Sequence, residues 1–238
     1  MRHLEALSEK DTQAWIDFGT ARNLRIYLQP KGMNSIHLLT PNDADPLMKY
    51  SLTVNGASVE LKFHPADFTQ VNAEINQQMV QRAVDLLDCQ AEDNILELFC
   101  GLGNFSLPIA QNVKTVVGVE GDDRMVQRAT MNAANNQLDN CEFYAANLME
   151  DVSTAPWMKQ SYNKVFLDPP RSGAKEMLPL IASLAPERIV YVSCNPATLA
   201  RDAGELVHEY GYTLNKVGVM DMFPHTAHVE AIALFTKT

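Results

Sequence analysis

Several things are scarce in this 238-residue sequence, and each scarcity removes a class of protein. No Cys-x-x-Cys spacing occurs; the four cysteines, Cys89, Cys100, Cys141 and Cys194, lie far apart. That excludes a disulfide framework and a clustered metal site, and it fits free thiols in a reducing cytoplasm. No apolar run approaches the roughly 18 residues of a membrane-crossing helix. The opening residues, Met1 to Trp15, lack the basic head and apolar stretch of a secretory signal. Positive charge is short as well: 19 Lys and Arg stand against 29 Asp and Glu, a formal net charge of −10. The chain as a whole therefore lacks the basic footprint with which proteins hold nucleic acid. Repeats and low-complexity tracts are absent. What is present is 46% hydrophobic residues, enough for a real core and too many for a disordered chain.

The head of the chain and the remainder follow different rhythms. Ser8, three residues before Asp11, marks a helix start, with a helix expected over 10–21. Short strands are expected at 24–28 and 35–39. A hairpin is expected around Asn55-Gly56, a pair that supports a type I′ turn. Residues 1–64 thus read as a small α+β segment and 65–238 as a separate domain. From Asn72, which can cap a helix bearing Ile75, Met79, Ala83, Leu86 and Leu87 on one face, helices and strands alternate. Strands are expected at 94–99, 115–119, 142–145, 164–167 and 189–192. Helices are expected at 104–111, 123–135 (capped by Asp122), 175–184 and 196–210. Two closing strands, 217–220 and 231–235, have no helix between them and are most simply antiparallel. The fold class is therefore α/β: a doubly wound sheet with a terminal antiparallel hairpin, resembling the Rossmann-like class I methyltransferases.

Three strand ends carry candidate chemistry. The stretch Glu97 to Asn104, ELFCGLGN, follows a strand and opens a helix; its glycines let backbone approach a ligand. It is not G-x-G-x-x-G, because Ser106 stands where the last glycine would be. Alone it is as readily a structural turn as a site. The next strand ends at Glu120, 17 residues after Gly103, where a carboxylate can accept from a ribose diol. The third ends near Asn147, whose amide could meet an adenine edge or simply face solvent. A cofactor with a ribose and no pyrophosphate, such as S-adenosylmethionine, suits this shortened loop, and its sulfonium suits an acidic pocket.

The fourth strand ends in Asp168-Pro169-Pro170-Arg171. Two prolines fix the backbone after the acid; a capping Asp in a turn is an equal alternative. The amino-group methyltransferases carry an aromatic after Pro-Pro. Arg171 stands there instead, able to hold phosphate or a pyrimidine carbonyl. The fifth strand runs into Cys194, at the ligand-bearing edge of such sheets. Cys89, Cys100 and Cys141 read as small buried hydrophobes. Cys194 differs because the helix opened by Pro196 begins beside it, and a helix start favours the thiolate. His225, His228 and Glu230 lack a fourth well-spaced ligand, so no metal is expected. Glu230, at the root of the last strand, is the better candidate for a base. A thiolate adding to C6 of uracil turns the unreactive C5 into a nucleophile, and a base must then remove the C5 proton. Cys194, Glu230 and a methyl-donor pocket at Gly101 and Glu120 supply those parts.

Five motifs in order, Phe68-Thr69-Gln70-Val71-Asn72, ELFCGLGN, Asp168-Pro169-Pro170-Arg171, Ser193-Cys194-Asn195-Pro196 and His225-Thr226-Ala227-His228-Val229-Glu230, resemble the RNA (uracil-5-)-methyltransferase family. The bacterial 23S ribosomal RNA branch is the nearer match, and the transfer RNA branch its rival. The resemblance implies Cys194 as nucleophile, Glu230 as base, and S-adenosylmethionine contacts from Gln70, Phe99, Asn104, Glu120, Asn147 and Asp168. It implies a cytoplasmic monomer acting on 23S ribosomal RNA with no membrane partner. Full-length members of that branch add a β-barrel RNA-binding domain and a 4Fe-4S cluster on four cysteines. Neither is recognisable here, so the chain reads as the C-terminal catalytic part, with the basic grip on RNA expected on the other parts. An amino-group transfer through the Asp168-Pro-Pro motif is the remaining enzyme alternative. A non-catalytic RNA-binding factor is the alternative from outside enzymes.

Overall fold

In the computed structural model, which describes residues 1–237, the chain divides into two compact units: Met1–Lys49 with Lys62–Phe68, and Tyr50–Leu61 with everything from Thr69 on. In the first unit, helix α1 (Glu9–Arg22) starts on a full capping box: the Ser8 hydroxyl accepts from the Asp11 amide while the Asp11 carboxylate accepts from the Ser8 amide. Two orphan helix donors are satisfied that way. Asn23 ends the helix in the left-handed region, and strands β1 (Ile26–Leu28) and β2 (His37–Thr40) pair antiparallel behind it. The strands β3 (Met48–Val54) and β4 (Ala57–Phe63) form the expected hairpin. Asn55 and Gly56 both have positive φ, 51° and 83°, as a type I′ turn requires.

The second unit is built on a seven-stranded sheet. Helix α2 (Ala73–Leu87) precedes it, capped by the Asn72 side chain on the Ile75 amide. Then come β5 (Asn94–Leu98), α3 (Ser106–Ala110), β6 (Thr115–Glu120), α4 (Asp123–Asn135), β7 (Cys141–Ala145) and β8 (Lys164–Leu167). After these run α5 (Leu178–Leu184), β9 (Arg188–Ser193), α6 (Pro196–His208), β10 (Tyr212–Met220) and β11 (Glu230–Lys237). The order across the sheet is β10-β11-β9-β8-β5-β6-β7. Strands β5 to β9 are parallel, and β11 runs antiparallel to both β9 and β10. The expected α/β sheet and terminal antiparallel hairpin are thus present, and the long crossovers are what parallel pairing demands. Two helices are shorter than their sequence pattern. The loop of Gly101 to Asn104 delays α3 to Ser106, and α5 begins as a single tight turn at Lys175–Met177 before Leu178.

Strands β8 and β9 are buried almost throughout, so their sequences are continuous apolar runs rather than alternations. One face of the sheet packs Leu96, Leu98, Val117, Leu167, Tyr191 and Phe235 against Leu178, Ile181, Leu199 and Leu206 of α5 and α6. On the other, Phe105 and Phe166 meet with ring centroids 4.3 Å apart. At the amino-terminal edge, Lys164 makes a buried ion pair of 2.5 Å with Asp93, and its ammonium also donates to the Asp88 carbonyl at 2.6 Å. Burial alone would raise the Asp93 pKa, but Lys164, the Gln90 amide and Asn163 together hold it below its ordinary value. With that end closed by charge pairing, the carboxyl edge is left for chemistry.

Candidate active site

Cys194, Glu230, Asp168, Phe99, Asn104, Glu120 and Asn147 lie in the second unit, at or just past the carboxyl ends of its strands or, for Glu230, at the start of antiparallel β11. The pairing that places Ala231 opposite Ser193 puts Glu230, the first residue of β11, beside Cys194, the first residue past β9. Strand β8 lies on the other side of β9 with Leu167 level with Tyr191, so Asp168 emerges next to them. Three candidate side chains from distant parts of the chain therefore come together at the strand ends. Cys194 is half-buried. Glu230 is 4% exposed.

Electrostatics at this row correct one expectation. A helix start beside Cys194 was expected to favour the thiolate, and Asn195 does cap α6 through the Ala197 amide. Burial nevertheless pushes the Cys194 thiol up, the carboxylates of Glu230 and Asp168 push it further, and only the Arg171 guanidinium and the residue's own backbone amide pull it down. Desolvation and two nearby anions set the direction of the shift. Burial also raises Glu230. It pushes Asp168 up to about 7, with Glu230 adding to the rise.

The loop after Asp168 is tied to the loop after Cys194. Asn195 Nδ2 and Thr198 Oγ1 both donate to the Arg171 carbonyl, at 3.0 and 3.3 Å. The Asp168-Pro-Pro-Arg171 segment is therefore held by the same helix start that follows the cysteine.

The cofactor-type loop is organised by Glu120. One of its carboxylate oxygens accepts from the Gly101 amide at 3.0 Å; the other accepts from Gly121 and Asp122 at 2.7 and 3.2 Å. Phe99 and Cys100 both donate their amides to the Val119 carbonyl. To do so Phe99 takes a φ of 64°, a conformation that a bulky residue keeps only when its surroundings enforce it. Gly103, at φ 93°, is a position where a Cβ would fall 2.5 Å from Leu107 Cδ1. Beneath the loop Glu97 is fully buried, and the Ser106 hydroxyl donates to one of its oxygens at 2.5 Å. Burial pushes Glu97 up to about 8, with smaller rises from Asp168 and Glu120. Its second oxygen has no hydrogen-bond partner. A carboxylate, Glu120, thus faces a backbone turn rich in left-handed residues, with the largely protonated Glu97 beneath it.

Asn104 is fixed by side chains that the motif search did not single out. It exchanges amide hydrogen bonds with Asn76 of α2, at 3.0 and 2.9 Å, and its carbonyl also accepts from the Tyr50 hydroxyl at 2.8 Å. Asn76 is buried, and a buried amide inside an apolar helix face was the signal that could have revealed it. Gln70 reaches Asp168 at a long 3.4 Å. Asn147, exposed at the end of β7, accepts from the Met149 amide and donates to Glu150. His225 and His228 are exposed, with His228 edge-on to Phe223. Among the described residues no group of three or more His, Cys, Asp or Glu could hold a metal ion. The four cysteines are free; Cys141 opens β7, and Cys89, Cys100 and Cys194 lie in three different loops, so these four do not fit an iron–sulfur cluster.

Residues 42–238 match the family model described as tRNA (uracil-5-)-methyltransferase. The 23S rRNA (uracil(1939)-C(5))-methyltransferase of Xanthomonas axonopodis pv. citri is 54% identical over 100% of this chain and 52% of its own length. The enzyme of the same name from Legionella pneumophila is 50% identical over 99% of this chain and 53% of its own length. The chain thus spans about half the length of the curated relatives it matches. Among solved structures, the Pyrococcus abyssi tRNA (uracil-54, C5)-methyltransferase in complex with S-adenosyl-L-homocysteine is similar with a TM-score of 0.75 and 26% identity. That match covers 99% of this chain and 55% of the other.

Proposed function

This chain belongs to the tRNA (uracil-5-)-methyltransferase family, and from that premise we propose that it is the catalytic part of an enzyme that methylates carbon 5 of a uridine in 23S ribosomal RNA. The observation that carries the reading is the register of β9 and β11, which sets the half-buried Cys194 beside the buried Glu230. The ribosomal substrate is favoured over transfer RNA because the relatives at 50% and 54% identity are named for 23S rRNA, while the tRNA enzyme stands at 26%.

The residues present fit S-adenosylmethionine. Glu120 keeps one lone-pair site free for a ribose hydroxyl, and Asn147 is exposed at the next strand end. Phe99 and Asn104 border the loop, Gln70 adjoins Asp168, and the carboxyl groups of Glu120 and Asp168 suit a positive charge. When bound, that cofactor supplies an electrophilic methyl group on a sulfonium.

The chain's own groups do the rest. The Cys194 thiolate forms a bond to uracil C6, and the ring's π electrons shift to C5 and the adjoining carbonyl, so that C5 becomes nucleophilic. After C5 has gained its methyl, Glu230 takes the C5 proton, the C5–C6 double bond re-forms, and the C6–S bond breaks with its electron pair returning to sulfur. A raised thiol pKa lowers the resting thiolate fraction but makes the thiolate a stronger nucleophile. An amino-group transfer through Asp168-Pro-Pro would leave the Cys194–Glu230 pair without a role.

The test is methyl transfer to 23S rRNA and to unmodified tRNA by the full-length protein. Cys194→Ala is expected to lose turnover by about 10⁴-fold or more, as nucleophile deletions do. Glu230→Gln is expected to accumulate a covalent protein–RNA adduct that survives denaturing electrophoresis. Wild-type turnover by Cys194→Ala would overturn the thiolate mechanism, and methylation of tRNA alone would move the substrate to the other branch.

A further inference from the structure

Beyond the reacting row, the helix that follows Cys194 holds a buried charge that the chemistry above does not use. Asp202 is 0% exposed, a costly place for a carboxylate unless it organises its surroundings. Its Oδ2 accepts from the Tyr191 hydroxyl at 2.7 Å and from the Ala174 amide at 2.9 Å. Its Oδ1 accepts from Arg201 Nε at 2.7 Å, and the Arg201 terminal nitrogen lies 2.6 Å away. Arg201 in turn donates to the Ser172 carbonyl at 2.9 Å. Asn195, Thr198, Arg201 and Asp202 recur at helical spacing. Together they take up the carbonyls of Arg171 and Ser172 and the amide of Ala174. Gly173 completes the fit: at φ 83°, a Cβ there would lie 2.6 Å from both the Arg201 and Asp202 side chains.

We propose that Asp202 and Arg201 are positioning residues, a clamp on one face of α6 that fixes the Arg171–Ala174 turn and so holds the Arg171 guanidinium toward the Cys194 thiol. The clamp joins three pieces of chain: Tyr191, three residues before the cysteine, the helix after it, and the turn that leaves β8. It deepens the reading above and rests on it for the role of Cys194. The charged groups that act on that thiol are Glu230 at the start of β11, and Asp168 and Arg171 after β8. Arg171 is the cation of the set. Loosening the turn that bears it leaves two carboxylates beside the sulfur with no opposing charge, and the thiolate becomes harder to form.

The experiment reads Cys194 directly. In the full-length protein, iodoacetamide alkylation of Cys194 is followed against pH by the mass of its peptide, beside kcat, KM for S-adenosylmethionine and thermal unfolding. Arg201→Met and Asp202→Asn are each expected to move the alkylation midpoint up by about half a pH unit or more. Each is also expected to lower kcat by about tenfold or more while KM for the cofactor stays within about twofold. Arg201→Lys, which keeps a charge near Asp202, is expected to recover part of both. A folded Arg201→Met protein whose Cys194 titrates as in the wild type overturns the proposal, whatever its kcat. If Asp202→Asn fails to fold, the half-exposed Arg201 decides alone. Should the wild type methylate no RNA while the midpoints move as expected, the clamp stands and the substrate reading falls.

Discussion

The two halves of the sheet's carboxyl edge are built in different ways. The half over β5 to β7 is local. Glu97 to Glu120 contains the turn, its left-handed residues and the carboxylate that accepts from the turn's amides. The half over β8, β9 and β11 is assembled from afar. Asp168, Cys194 and Glu230 come from three chain segments and meet only because the strands align. A local site is held by backbone conformation; a distant one is held by register, where a slip of one residue sends every side chain to the opposite face. The first half should therefore fail through single backbone positions, and the second through single side chains or through the clamp on α6.

The sharpest separation is expected from Glu230→Ala. Removing the base should lower methyl transfer by about 10²–10⁴-fold with cofactor affinity by calorimetry unchanged; a parallel loss of affinity would join the halves into one. Gly103→Ala is the converse. A φ of 93° suits glycine, so the substitution should cost about 1–2 kcal/mol of stability. Cofactor affinity should fall about tenfold, while the alkylation profile of Cys194 stays in place.

A weaker effect comes from pH. Because the Cys194 thiol is raised, kcat/KM should climb as pH rises through neutrality, close to tenfold per unit while the thiol remains mostly protonated. A profile flat from pH 6 to 9 would remove the thiol from the rate-determining chemistry.

The smallest expected effect is on stability. Glu97 and Asp168 are acids whose folded pKa values, about 8 and about 7, lie above their unfolded ones. The native state therefore binds more protons than the unfolded state between about pH 4 and 8, and stability falls as pH rises across that window. The depressed Asp93 works the other way, its contribution being lost only as pH falls below the ordinary carboxylate range. Glu97→Gln should flatten the fall in melting temperature between pH 5 and 8, and an unchanged slope would show that Glu97 stays ionised.

Much of this was legible in the sequence for a definite reason. Helix caps are local chemistry, so Ser8, Asn72 and Asp122 are found where a short polar side chain precedes a helical pattern. Asn55-Gly56 announced its turn because few other pairs tolerate two positive φ angles. The end of the cofactor half at Glu120 was readable because the loop and the acid lie within one strand–helix–strand unit. Asn76 and Tyr50 behind Asn104 were not readable. A lone amide in an apolar helix and a tyrosine in a hairpin gain meaning only when the fold brings them within 3 Å of one side chain. The direction of the Cys194 shift was missed for the same cause: the helix start is local, whereas Glu230 arrives from 36 positions away.

By itself the sequence determined the alternation of strands and helices and the glycine turn, and it put forward the candidate side chains at the strand ends, because those depend on neighbours along the chain. Only the tertiary structure decided which of them stand together, which anion sits beside the sulfur, and that a buried aspartate grips the turn after β8. Those outcomes follow from strand register and burial, and neither exists until distant segments pack.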